Sequence, residues 1–159
     1  MLDQLFDSIG GEVVGKLTEK TGLNLDQAKA MLPLAQESVS EGVMKQVTDG
    51  NIGGLVSMLG AAQGGGGGGL MDNPIFSSIK GALMGKVMEK MGLPSQLAGM
   101  ASGVGLESIM GLIGNKVSDD DGNIDEGNIV SQLGLGDSAV DMAKNVLKSK
   151  LGGLGGLLG

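Results

Sequence analysis

The stretch GEVVGKLTEKTGL, residues 11–23, returns 70 residues later as GALMGKVMEKMGL, residues 81–93. Sliding the chain against itself by that offset aligns residues 1–49 with 71–119 without a gap. The pairs include Met1/Met71, Phe6/Phe76, Ile9/Ile79, Gly15/Gly85, Lys16/Lys86, Glu19/Glu89, Lys20/Lys90 and Gly22/Gly92. Both phenylalanines of the chain are repeat mates. After a four-residue insertion the match resumes, with VSMLG at 56–60 against VSQLG at 130–134. Self-similarity at a fixed offset predicts a tandem repeat, in which each unit buries its apolar face against the other.

Within each copy the apolar spacing is helical. Leu2, Leu5, Phe6, Ile9, Val13 and Leu17 fall at steps of three and four, as do Ile75, Phe76, Ile79, Leu83 and Val87. Gly22 and Gly92 stand where a left-handed C-cap is expected, just past Lys20 and Lys90, whose charges suit the negative end of the helix dipole. Asn24 with Gln27 forms a capping-box signature, and Pro94 suits the first turn of the equivalent helix in the second copy. The next stretch keeps an apolar step through Ala35, Val39, Val43 and Val47, but Pro33 is expected to kink or divide it. Its mate runs from Leu97 through Ile109 and Ile113 to Val117. Short helices at 52–59 and 129–133 are expected to close the copies.

The predicted fold is therefore all-α: a tandem-duplicated helical repeat with roughly four short helices per copy and a C-terminal helix. Residues 1–60 form the first copy, 61–69 a Gly-rich linker, 70–135 the second copy, and 136–159 a last helix with a Gly/Leu tail. Asp137 can cap that helix, and Lys144, Lys148 and Lys150 lie toward its end. Each copy alone is of marginal size, so the halves are expected to share one core.

Composition closes most chemistry. The 159 residues contain no His and no Cys, and all 11 cations are Lys. That leaves no imidazole or thiolate nucleophile pair, no zinc-type site, no disulfide and no guanidinium clamp. With a net charge of −7 and no Trp or Tyr, the chain is a poor match for nucleic acid. We expect no enzyme and no cofactor. The acidic N-terminus lacks the pattern of a signal peptide, and the uncharged run 51–71 is broken by Gly64–Gly69, so a cytoplasmic chain without a transmembrane segment is expected.

The opening MLDQL at 1–5, TGLNLDQAKAMLPLA at 21–35, the Gly run, the Asn73-Pro74 restart and the closing Gly/Leu tail resemble the YidB-like bacterial proteins of unknown function. The resemblance covers nearly the whole chain. It implies an all-helical fold and no established activity, and it carries over no catalytic residue.

The most site-like stretch is VSDDDGNIDEGN, 117–128. With Gly122 at the sharp turn of a calcium loop, Asp119, Asp121 and Asp125 take the third, fifth and ninth positions. Val117 and Asn128 occupy the two ends, where principal carboxylates belong, so a solvated turn with Asp125 capping the next helix is the preferred reading. Met84, Met88 and Met91 share a helical face and are expected in the core. Phe6 and Phe76, as the bulkiest fillers, are expected near a common pseudo-twofold axis. If they face outward instead, they join Leu151, Leu154, Leu157 and Leu158 as interface candidates. The expected function is a non-enzymatic structural protein that self-associates through Gly/Leu/Met-rich helical surfaces. The alternative is a small module taking an amphipathic helix or acyl chain in a Met-lined groove, and the expected partner is the chain itself.

Overall fold

A computed structural model describes residues 2–64, 67–125 and 127–129. Six helices carry most of them: α1 (Leu2–Thr21), α2 (Leu25–Thr48), α3 (Ile52–Gln63), α4 (Gly67–Met71), α5 (Pro74–Met91) and α6 (Ser95–Val117). No strand occurs among the described residues.

The helix ends follow local chemistry. α1 stops at Gly22 and α5 at Gly92, whose φ angles of 74° and 64° are left-handed, with N–H groups donating to the carbonyls of Thr18 and Met88. Only glycine adopts that turn without a Cβ penalty. At the start of α2 the capping box is complete: Asn24 Oδ1 accepts from Gln27 N at 2.8 Å, and Gln27 Oε1 from Asn24 N at 3.2 Å. α5 opens with Asn73 Oδ1 accepting from Ile75 N and Phe76 N, and Pro74 in the first turn, where its missing N–H costs nothing. Pro94 is the N-cap of α6, one position earlier than expected, and contributes no side-chain cap.

Two boundaries differ from the sequence reading. Pro33 does not divide α2, which runs unbroken through it. The proline is exposed, so the Lys29 carbonyl it leaves without an amide partner lies on the solvent side. Buried Met31, Leu34 and Ala35 tie the flanking turns to the core. The region read as the first copy therefore holds three helices rather than about four. α3 also continues past Leu59 to Gln63, because Ala61 and Ala62 favour helix and pack against the core. The segment read as a linker thus carries helix at 61–63 and again at 67–69.

The four long helices close a ring. α1 packs on α2, α2 on α5, α5 on α6, and α6 back on α1, while α3 lies mainly along α6 and also touches α2 and α5. One continuous apolar cluster fills the centre, drawing on Phe6, Val13 and Leu17, on Val39 and Val43, on Phe76 and Leu83, and on Ile109 and Ile113. Glycines set the closest crossings: a Cβ on Gly114 would stand 3.0 Å from the Leu59 carbonyl oxygen. α6 alone among the described helices is long and apolar enough to cross a bilayer by length and composition. Most of it is buried within the bundle, as the central helix of a helical core is. The apolar run at 51–71 is split between α3 and α4.

Candidate functional site

The acidic turn uses two of its carboxylates internally, those of Asp119 and Asp125. Asp119 Oδ1 accepts from Asp121 N at 3.0 Å and from Asn123 N at 2.8 Å, while Gly122, at φ 81°, donates to the Asp119 carbonyl. Asp125 Oδ1 accepts from Asn128 N at 2.7 Å and so caps the helical turn at 127–129, as the sequence suggested. Among the described residues, no group of three or more acidic side chains converges to hold a metal ion, and Asp119, Asp121 and Asp125 are no exception.

The aromatic pair is divided. Phe76 is fully buried, so it is corrected from interface candidate to core: its ring has no surface to offer. Phe6 is nearly buried, but it floors an open groove. Their helices, α1 and α5, are not ring neighbours, each sitting between α2 and α6. Both rings belong to the one central apolar cluster. The two halves are joined along the α1–α6, α2–α5 and α3–α6 seams. Leu151, Leu154, Leu157 and Leu158 lie outside the described residues.

The methionine face is a second correction. Met84 and Met91 are only partly buried and Met88 is 40% exposed, so the stripe borders the core instead of filling it. The reason lies on α6, where Gly99 and Gly103 face α5. Met84 Sδ rests 3.8 Å from where a Gly99 Cβ would be, and Lys80 Cε 3.5 Å from that of Gly103. These side chains lie over the seam between α5 and α6. Met100, beside Gly99, is 49% exposed.

The corresponding seam between α1 and α2 is open. A groove of about 480 Å3 runs there, lined by Phe6, Asp7, Gly10, Gly11, Val14, Leu25, Lys29 and Leu32, and its wall is mostly carbon. Positions 10 and 14 correspond, 70 residues on, to Lys80 and Met84. With Gly and Val in their place, Leu32 closes on Gly10, its Cδ1 3.3 Å from where a Cβ would be, and the slot beside them stays open. Leu25 stands at its edge 53% exposed. This groove was not legible in the sequence, although the Gly10/Lys80 and Val14/Met84 mismatches in the 70-residue self-alignment are the signal that could have found it.

Two polar features flank the bundle. Lys86 bridges α5 to α2, with Nζ 3.3 Å from Glu37 and 2.9 Å from Glu41. Burial of the ammonium opposes its charge, but the hydrogen bonds and charges of Glu41 and Glu37 outweigh that, so its pKa is raised above 10.5. On the opposite side Glu12, Lys16, Lys20 and Glu107 line a smaller, polar groove, with Lys16 paired to Glu12 at 3.4 Å. Both arrangements place lysine ammonium groups among glutamate carboxylates. What the described surface can do is bind apolar groups in the α1–α2 groove and present methionines from α5 and α6. No family model, curated protein or solved structure matches the chain.

Proposed function

We propose that the chain is a tandem-duplicated helical protein of the YidB-like kind, without enzymatic activity, that acts as a structural element by associating with copies of itself. The duplication is supported by the way the seams correspond. A shift of 70 residues carries the α1–α6 pairing onto the α5–α2 pairing, and carries Lys16 and Glu107, which share a groove, onto Lys86 and Glu37, which form an ion pair.

The observation that carries self-association is the apolar groove of the α1–α2 seam, with exposed Leu25 at its edge. An apolar slot rimmed by polar groups is a site of recognition more often than bare surface. Sedimentation of the full chain across a wide concentration range tests the reading. The expected result is a mass that climbs above 15.9 kDa with concentration. A mass fixed at the monomer value up to millimolar protein would overturn it.

The half-exposed methionines favour a second reading, a module that takes an amphipathic helix or an acyl chain, because Met surfaces repack around varied apolar ligands. A strict monomer that binds an apolar dye saturably would select this alternative.

A further inference from the structure

Resting on the self-association proposed above, we infer that the contact is head-to-tail: the methionine ridge of α5 and α6 in one molecule seats in the α1–α2 groove of the next. The two hairpins carry the same seam in opposite states. In one, Gly10 and Val14 leave it open; in the other, Lys80 and Met84 lie across it. The large apolar side chains exposed on the described surface follow the same division. Leu25 is at the groove, Met88 and Met100 are on α5 and α6, Met71 touches the Gly103 position beside them, and only Met44 lies elsewhere.

Charge complements shape. Residues 2–48 hold seven carboxylates against four lysines, a net of −3, while 74–117 hold four lysines against two carboxylates, a net of +2. Asp7 and Lys29 both line the groove, so the acidic excess belongs to the hairpin as a whole, and Lys80 precedes Met84 by one turn. A second copy therefore meets an acidic hairpin with a basic one, and unbranched methionines adapt to a slot that rigid side chains would have to match. Like hairpins repel, which disfavours an isologous pairing of two grooves. A heterologous contact of this kind repeats from molecule to molecule, so the product is an open chain unless its rotation closes a ring.

The test fills each half of the contact separately in the full-length protein. Gly10→Lys with Val14→Met writes the α5 residues into α1 and blocks the groove; Met88→Gln with Met100→Gln strips the ridge. Circular dichroism confirms that each variant keeps its helicity, and Leu25→Lys, at an exposed position, serves as a second groove variant should the first fail to fold. Each variant alone should lose association at least tenfold, and an equimolar mixture of the two should form a 1:1 dimer, since each supplies the half the other lacks. Wild type that associates while both variants associate equally well would sink the head-to-tail assignment and leave self-association standing. Loss of association in each variant without recovery on mixing would also overturn it, as an isologous contact predicts. A groove variant that keeps associating but exposes 136–159 to protease would give the groove to the chain's own C-terminal segment. A wild-type monomer at every concentration would remove both proposals.

Discussion

Gly42→Ala is the substitution whose sign depends most directly on the packing. Alanine in place of a mid-helix glycine ordinarily stabilises by about 1 kcal/mol. A Cβ on Gly42, however, would overlap Ile79 Cγ1 and stand 2.7 Å from its Cδ1, against about 3.5–4.0 Å for carbon atoms at rest. Ile79 is buried and β-branched, held to one preferred rotamer in a helix, so the strain passes to the α2–α5 seam. Overpacking costs about 1–3 kcal/mol, which exceeds the propensity gain and leaves a net loss of about 1 kcal/mol. Ile79→Ala alone should cost about 2–4 kcal/mol through the cavity it opens. In that background Gly42→Ala should stabilise by about 1 kcal/mol, so the pair couples by about 2 kcal/mol. Urea titrations of the four proteins followed by circular dichroism measure each term. Gly15→Ala and Gly85→Ala, where a Cβ meets nothing within 4 Å, calibrate the propensity gain. If Gly42→Ala stabilised the wild type as much as Gly85→Ala does, the close approach of α2 and α5 would be refuted.

Phe76→Ala should cost about 3–5 kcal/mol in the same assay and Phe6→Ala less, because Phe6 borders an open groove. The double variant should equal the sum of the two, since their helices are not ring neighbours, and strong coupling would put the two rings in contact across the core. For Lys86, a pKa raised by folding means that the ion-pair contribution is fully present below the unfolded value and fades as pH climbs through the folded one. The stability gap between wild type and Lys86→Met, below about 1 kcal/mol for a pair with exposed carboxylates, should therefore hold from neutral pH to about 10 and close above it; a gap unchanged at about pH 11.5 would be inconsistent with this origin. Asp119→Ala should destabilise by about 1–2 kcal/mol, since two backbone amides lose their acceptor. Titration calorimetry with calcium should find no affinity tighter than about millimolar, and a micromolar site would overturn the reading of the turn.

Helix termini were legible in the sequence because their causes are local. Gly22 and Gly92 stop helices by adopting a left-handed conformation that needs no distant partner. The Asn24–Gln27 box and the Asn73-Pro74 start act within three residues of themselves. The all-helical class follows from the same source, the three- and four-residue apolar spacing. Pro33 marks where that reasoning stops. Its local effect is to break a helix, yet buried side chains on either side hold α2 continuous. Repetition alone was also ambiguous about the two phenylalanines. Equivalent positions in the two matching helices ended as a buried ring and a groove floor, and the seam beside Phe76 carries Lys80 and Met84 where the seam beside Phe6 carries Gly10 and Val14. The methionines moved from expected core to half-exposed ridge for a related reason: Gly99 and Gly103, eight or more residues beyond Met91, leave a shelf on α6 that receives Met84 and Lys80. Gly42 against Ile79, Gly114 against Leu59 and the open slot at Gly10 all depend on which helices become neighbours, and that is set by the burial of the whole apolar cluster at once. Periodicity specifies that a face will be buried; only the packed bundle specifies against what, and therefore which seam closes and which stays open.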